Sequence, residues 1–176
     1  MHNRIATEGT LMDPNAVIEV FRRNVTEHYF DLKGRVSRKE FWYFVLASVV
    51  VYLAAYIVDM VIRTGLLVPL IGLALLLPMT GLGARRLQDI GRNGQLIWVW
   101  TISSVVMQVI GLLVALSGPF GLFYFFLAIG VLVSLVSLVV LGISLVLIYF
   151  WVQPGSPAAN EYGPVPDAGT AAPAKP

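Results

Sequence analysis

Residues 34–44 read GRVSRKEFWYF, and this stretch decides how the chain meets a membrane. Three cations stand just ahead of a long apolar run that begins at Phe41. These cations are Arg35, Arg38 and Lys39. Such side chains stay among lipid headgroups, where they reach anionic phosphates, and the rings of Trp42 and Tyr43 prefer the same layer. The stretch therefore predicts the point at which a first helix enters a bilayer.

The start of that helix has its own local signal. Ser37 and Glu40 are spaced as a capping box, in which the two side chains satisfy backbone N–H groups at the first turn. Gly34, just before them, permits a turn. We therefore predict that the first span covers residues 38–62.

The composition extends this prediction to the whole chain. Of 176 residues, 57% are apolar and 12% are charged, and no Asp, Glu, Lys or Arg occurs from Asn93 to Asn160. A soluble domain could not bury so much apolar surface, whereas a helix crosses a bilayer with about 20 apolar residues. We predict an all-α polytopic membrane protein with four transmembrane helices. The spans are 38–62, 66–82, 96–116 and 130–151, within a membrane domain of residues 13–152.

The last apolar run, residues 120–152, is too long for one crossing. As a single helix it would extend about 50 Å, against a hydrocarbon core of about 30 Å. It is also too short for two crossings with a turn. We therefore place the crossing at 130–151 and expect 120–129 as an interfacial extension. Whether 120–129 continue the last helix stays open at this point.

Three further segments flank the spans. Residues 1–12 form a flexible leader, and residues 13–30 predict an amphipathic helix with Asp13 as N-cap and Pro14 at the first position. That helix lies either against the membrane surface or on the cytosolic ends of the spans. Residues 153–176 are rich in proline and predict a disordered tail.

The distribution of cations predicts the orientation. Cations flanking short loops favour the cytosolic side. Those on one side are Arg22, Arg23, Lys33, Arg35, Arg38, Lys39, Arg85, Arg86 and Arg92, and the opposite side has Arg63 alone. Both termini are therefore expected in the cytosol. The four tryptophans, Trp42, Trp98, Trp100 and Trp151, all fall at the same interface in this arrangement.

Several classes of function are disfavoured by what the chain lacks. There is no cysteine, so disulfides and thiolate sites are excluded, and the only histidines are His2 and His28. A net charge of +2 gives little support for binding nucleic acid. No hydrolase triad, phosphate loop or metal-ligand spacing occurs. We therefore expect no catalytic residue, no metal, no cofactor and no enzymatic activity.

Two charged clusters are the best candidates for a site. They comprise Arg35, Arg38 and Lys39 before the first span, and Arg85, Arg86, Asp89 and Arg92 after the second. Both would lie on the cytosolic face, where they could bind an anionic lipid headgroup or the acidic segment of a partner. Alternatively, they pair with nearby carboxylates and hold the helix ends together. Asp89 lies one helical turn from both Arg85 and Arg86 and could pair with either.

Polar residues inside the spans form a second set of candidates. Asp59 lies near the far interface, four residues before Arg63, so it either forms an ion pair with Arg63 or acts in a proton or ion relay. Thr101, Ser104 and Gln108 share one helix face. That face either lines a permeation path or contacts another helix.

Three motifs resemble a known family. They are residues 34–43 (GRVSRKEFWY), residues 84–91 (ARRLQDIG) and residues 160–164 (NEYGP). In this order they resemble the YhaH/YhaI-like family of small bacterial inner-membrane proteins, domain of unknown function 805. The resemblance implies a bacterial inner-membrane location and about four helices, without an established activity. The chain departs from the family at Gln88, usually histidine, and at Gly94-Gln95-Leu96, usually a Gly-Trp-Trp-like run.

The leading functional expectation is a non-enzymatic structural or interaction protein. Its basic cytosolic face would bind membrane lipids or a membrane or cytosolic protein partner, and it could form a homo-oligomer. The alternative is a small oligomeric transporter or channel subunit. A third possibility, an enzyme acting on lipid, would need Asp89 as its base.

Overall fold

The computed structural model describes residues 13–116 and 121–166, and this part of the chain is all-α. A short α1 precedes four long helices. The bounds are α1 Pro14–Thr26, α2 Arg38–Ile62, α3 Leu67–Asp89, α4 Ile97–Leu116 and α5 Gly121–Val152, with a 3-10 turn at Gly94–Leu96 before α4. No strand occurs in the described ranges; a single bridge pairs Asn160 with Gly163.

Four segments are long and apolar enough to cross a membrane, as predicted. They are Arg38–Ile62, Leu67–Asp89, Gly94–Leu113 and Ser134–Val152. The outward faces of α2, α4 and α5 are largely exposed and apolar, which is the surface that hydrocarbon would cover. The fold is therefore that of a polytopic helical membrane protein.

The first span begins and ends where the sequence predicts. The Ser37 hydroxyl accepts a hydrogen bond from the Glu40 amide at 3.2 Å, so the N-cap forms. The second half of the capping box does not form. The Glu40 carboxylate instead accepts from the side chain of Arg23 on α1. Glu40 thus joins two helices rather than closing its own first turn.

The second span is longer than predicted. We expected it to end at residue 82, but α3 continues to Asp89, with Pro78 inside it. Every residue from Thr80 to Asp89 is buried. The charged side chains of this last part find partners within the protein, as described below, so the helix can continue through them without leaving ionised groups unpaired.

The third span agrees with the prediction, and the fourth lies within a longer helix. Helix α4 begins at Ile97, one position from the expected start, after Asn93 caps the short turn before it. Helix α5 is continuous from Gly121, which answers the open question for 121–129: these residues continue the last helix. The segment apolar enough to cross a membrane, Ser134–Val152, agrees with the predicted crossing at 130–151. A helix satisfies its own backbone groups, which favours uninterrupted helix in an apolar run. Residue 120 lies outside the described residues.

Helix α1 packs on the bundle instead of standing apart from it. Asp13 caps it as predicted, but it ends at Thr26, short of residue 30. The Phe21 ring stacks on that of Phe44 in α2, with 5.4 Å between centroids. The Tyr29 hydroxyl donates to the carbonyl of Ala74 in α3 at 2.6 Å. These contacts favour the second of the two expected placements, on the ends of the spans.

The described part of the tail, residues 153–166, has a defined structure. The prediction of disorder from residue 153 is wrong for residues 153–166, which fold back across the end of the bundle. Asn160 and Gly163 exchange backbone hydrogen bonds of 3.1 and 3.0 Å. Buried side-chain donors fix this segment, which composition alone could not reveal. Residues 1–12 and 167–176 lie outside the described residues, so the expected leader and the last part of the tail stay predictions.

The core lies at one end of the bundle. This charged end, as we call it, comprises the start of α2, the end of α3, the start of α4 and the end of α5, together with α1 and residues 153–166. Its buried apolar residues include Val36, Phe41, Phe44, Leu82, Leu87, Ile97 and Trp151. The Trp151 ring packs against Phe41 and Trp100, with centroids 4.8 and 6.5 Å apart. The four tryptophans gather at this end.

Candidate functional site

The two charged clusters meet at Asp89. One carboxylate oxygen accepts from Nε of Arg35 at 2.9 Å, and the other accepts from Nη1 of Arg86. The three side chains are at most 4% exposed. The i,i+3 pair with Arg86 was one of the two expected, whereas the contact with Arg35 joins residues 54 positions apart. Helix α3 presents Asp89 at its last position, where the loop before α2 can reach it.

The remaining donors of these two arginines hold the tail. Arg35 donates to the carbonyls of Ser156 at 2.7 Å, Ala158 at 2.8 Å and Gly163 at 3.2 Å. Arg86 donates to the carbonyl of Trp151 at 3.1 Å and to that of Gln153. A guanidinium has five N–H donors in a planar fork, which suits a set of converging carbonyls.

The tail in turn fits closely over Asp89. The Ser156 amide donates to the Asp89 carbonyl at 2.8 Å. A Cβ at Gly155 would lie 2.2 Å from a carboxylate oxygen of Asp89, so a side chain there would push the tail away. Glycine at this position lets the backbone close the site from outside.

Arg85 has a different role from the one its spacing suggested. It does not pair with Asp89, because it faces α1 and donates to the Asn24 side chain at 3.0 Å. Asn24 is fully buried and donates to the Val20 carbonyl at 2.8 Å. Together with the Arg23–Glu40 pair, this contact fixes α1 to α2 and α3.

The burial of these charges decides what they can do. Removing an ion from water is costly, and partners inside the protein must offset that cost. Both oxygens of Asp89 and most donors of Arg35 and Arg86 already have partners. The geometry therefore favours the alternative in which these residues hold helix ends together, over the pocket that we expected for a ligand. A free carboxylate base at Asp89 is disfavoured for the same reason.

Three of the predicted cations stay exposed and apart from this network. Arg38 makes one long contact, 3.4 Å to the Val152 carbonyl, and Lys39 lies 5.4 Å from the centroid of the Tyr43 ring. Arg92 lies over Phe150, 4.9 Å from its centroid. Arg38 and Lys39 border a surface groove of about 420 Å³. The groove is further lined by Trp42, Tyr43, Val45, Leu46 and Val49.

The polar residues inside the spans are also separated. Asp59 does not pair with Arg63, which is exposed. The Asp59 carboxylate instead accepts from the Thr64 hydroxyl at 2.6 Å and from the Val68 amide at 3.0 Å, at the start of α3. The predicted ion pair between Asp59 and Arg63 therefore does not form. Both carboxylate oxygens of Asp59 already accept hydrogen bonds at the start of the next helix.

Gln108 lies in a mostly apolar cavity of about 370 Å³ between α2, α3 and α4, together with Ser104. It packs on Gly72, where a Cβ would lie 1.9 Å from the amide oxygen. Asp59 is not among the residues that line this cavity. Thr101 makes a helix contact instead, with its hydroxyl 3.0 Å from that of Thr80. The described residues thus do not form one path from Gln108 to Asp59.

Sequence reasoning missed several residues of the charged end. Asn24 was given no structural role, and neither was Asn160, whose side-chain amide donates to the Gln88 carbonyl at 2.9 Å. Residues 160–164 form one of the three motifs, and a motif inside a segment predicted to be disordered was the signal that the segment packs. Among the described residues, no group of three or more His, Asp or Glu is placed to hold a metal ion.

The fold and the charged end together define an integral membrane protein closed at one end by a buried ion network. A model of the family described as "Protein of unknown function (DUF805)" matches residues 29–164. The chain belongs to this family, as the resemblance of its three motifs indicated. No curated protein and no solved structure matches the chain.

Proposed function

We propose that this protein is a non-enzymatic structural or interaction protein of the bacterial inner membrane, and that its charged end faces the cytosol and binds anionic phospholipid. The observation that carries the proposal is the groove at Arg38 and Lys39. Both cations are exposed, and no carboxylate is among the residues that line the groove. They are therefore free to bind phosphate, unlike the buried Arg35 and Arg86.

The order of residues along the groove fits the order of groups along a phospholipid. Arg38 and Lys39 lie at the first turn of α2, Trp42 and Tyr43 one turn further, and Val49 at the inner limit. At 1.5 Å per residue, positions 38–49 extend about 16 Å from headgroup depth into the hydrocarbon. Cations, interfacial rings and apolar side chains thus succeed each other as phosphate, glycerol and acyl chain do.

The orientation is supported by the distribution of exposed cations. Those at the charged end are Arg22, Lys33, Arg38, Lys39 and Arg92, whereas Arg63 lies at the opposite end of α2. Cations near short loops favour the cytosolic side. The ordered part of the tail and α1 share this end, so both termini would be cytosolic. A surface of this kind suits anionic lipid or an acidic segment of a membrane or cytosolic protein, rather than nucleic acid.

Native mass spectrometry of the full chain in micelles tests the lipid site. We expect phosphatidylglycerol to be retained in preference to phosphatidylcholine, and Arg38→Gln with Lys39→Gln to reduce that preference about thirtyfold, at about 1 kcal/mol per cation. Arg22→Gln with Arg92→Gln removes the same charge from the same end outside the groove and serves as control. Equal loss in both double variants, or loss in neither, would overturn the proposal.

The alternative of a small oligomeric transporter or channel subunit draws on the cavity at Gln108. Four helices enclose little space, so a pore would have to form between copies of the chain. Gln108→Leu in reconstituted vesicles tests this idea through the flux of small polar solutes. A flux that is present in the wild type and lost in the variant would favour transport over the structural role.

A further inference from the structure

A second cavity at the charged end differs in chemistry from the lipid groove. It has a volume of about 470 Å³ and shares no residue with the groove at Arg38 and Lys39. Its walls come from residues 32–34 before α2, residues 93–95 before α4, and residues 161–162 of the tail, over the end of α3. The tail supplies the third wall because it folds back across the bundle.

The floor of this cavity carries an acceptor without a donor. Gln88 is 8% exposed, and its amide nitrogen donates to the Leu32 carbonyl at 2.9 Å. Its amide oxygen is buried and has no hydrogen-bond partner. Exchanging nitrogen and oxygen would set the oxygen against the Leu32 carbonyl, so the orientation is fixed. A buried acceptor in this state favours any ligand that brings an N–H or O–H to it.

Gly94 keeps this floor uncovered. A Cβ at this position would lie 2.6 Å from the Gln88 amide nitrogen and 3.1 Å from the Ala84 carbonyl. Any other residue at position 94 would therefore press on the Gln88 side chain. The turn before α4 approaches Gln88 closely without filling the space beside it.

The rim of the cavity carries opposite charges and an aromatic ring. Lys33 and Glu161 are both exposed and border it, as does Trp98. A hydrogen bond to Glu161 is the main cause that raises the pKa of the neighbouring Tyr162. An ammonium group would find a carboxylate and an indole ring here, above the unpaired Gln88 oxygen, and an anion would find Lys33.

We propose that this cavity binds a zwitterion that carries a primary ammonium and a phosphate on one molecule, the chemistry of phosphoethanolamine. The ammonium lies toward Gln88, Glu161 and Trp98, and the phosphate lies toward Lys33. The same group occurs as a phospholipid headgroup and as a free molecule. This site is independent of the anionic-lipid groove. The two share no lining residue, and the groove takes an anionic lipid whereas this cavity takes a zwitterion.

A methylation series of lipids tests the ammonium directly. Phosphatidylethanolamine, its N-methyl and N,N-dimethyl derivatives and phosphatidylcholine have the same phosphate and charge, but the N–H donors are removed one at a time. Native mass spectrometry of the full chain should show retention falling along the series, by about tenfold or more overall, as expected for loss of a charge-assisted hydrogen bond. Equal retention of all four lipids, with no effect of the free compound described below, would overturn the proposal.

Matched variants assign the effect to this cavity. Glu161 is exposed, so Glu161→Gln leaves the fold intact while it removes the carboxylate that faces the ammonium. We expect the preference for the unmethylated lipid to shrink in this variant and to persist in Glu27→Gln, which changes an exposed acid of the same end outside the cavity. The same response in both variants would contradict the assignment.

Free O-phosphoethanolamine separates the two sources of the ligand. If the site takes the free compound, millimolar O-phosphoethanolamine raises the melting temperature of the wild type and choline phosphate does not. If it takes only the lipid, the free compound has no effect and the methylation series alone discriminates. The Arg38→Gln, Lys39→Gln variant, which should lose the anionic lipid, should still show the same decrease along the methylation series. The two proposed sites can therefore be refuted independently.

Discussion

Asp89 is the residue on which the charged end depends. It is the only carboxylate in contact with the buried guanidinium groups of Arg35 and Arg86 among the ion pairs of the described residues. Its neutralisation would leave two buried cations in the same small volume. The cost of an uncompensated buried charge is large, since no water can replace the missing partner.

Asp89→Asn should therefore destabilise the protein by about 3 kcal/mol or more. The measurement is unfolding of the purified chain in detergent, followed by circular dichroism against denaturant. Limited proteolysis of the tail should become faster in the same variant, because Arg35 and Arg86 also hold residues 153–163 in place. Glu19→Gln, an exposed change on α1, is the control and should leave stability within about 0.5 kcal/mol. A stable Asp89→Asn protein with a protected tail would contradict this account.

At this scale the sequence indicated the residue types but not their partners. The spacing of Arg85, Arg86 and Asp89 allowed two pairs, and the fold uses only the one with Arg86. The reason is rotational position on α3. Arg85 points to α1 and Asn24, while Arg86 and Asp89 point to the tail.

Among the elements, the connection between α2 and α3 shows how a polar residue inside a span can be structural. Arg63, at the end of α2, takes a left-handed conformation with φ of 55°. Asp59 reaches across this turn to the Thr64 hydroxyl and the Val68 amide. The first amides of α3 have no helical carbonyl to bond to, and this carboxylate supplies one acceptor.

Asp59→Leu should consequently lower the melting temperature, whereas Asp59→Asn, which keeps an acceptor oxygen, should lower it much less. Arg63→Gln is the control and should have little effect, because Asp59 has no contact with Arg63. Flux in orientation-controlled vesicles should be the same for Asp59→Asn and wild type. A change of flux without a change of stability would restore the relay that we considered from sequence.

Element boundaries were predicted best where the boundary is local. Ser37 caps α2 and Asp13 caps α1 through side chains within three residues, so short-range spacing suffices. The second span was ended too early, at residue 82, because charge normally ends a span, although the spacing of Arg85, Arg86 and Asp89 already assumed helix beyond it. In this chain the charge is neutralised by segments that are distant in sequence, which a local pattern cannot show.

For the molecule as a whole, the orientation in the membrane is the property that most needs measurement. A fluorescent reporter that matures only in the cytosol, fused after residue 176, should be active. A phosphatase reporter that is active only in the periplasm should be silent at this position and active when inserted after Arg63, between α2 and α3. The reverse pattern would place the cations of the charged end on the wrong side and contradict the positive-inside argument.

Hydrophobicity and charge placement, which are properties of the sequence itself, determined that the chain has four helices long and apolar enough to cross a membrane, roughly where they lie and which of their ends lie together. They are decisive because hydrocarbon rejects ionised groups wherever they occur along the chain. The family resemblance of the three motifs also came from sequence, and the match over residues 29–164 confirmed it.

Only the tertiary structure decided which charged side chains are buried and paired and which are exposed and able to bind a ligand. It buried Arg35, Arg86 and Asp89 under residues 153–166, left Arg38 and Lys39 exposed beside a groove, and opened a separate cavity over Gln88. Composition predicted disorder for the tail because prolines and small residues supply little apolar surface to bury. The tail is held instead by guanidinium groups that donate to its backbone carbonyls, and those donors come from residues more than 60 positions away in sequence.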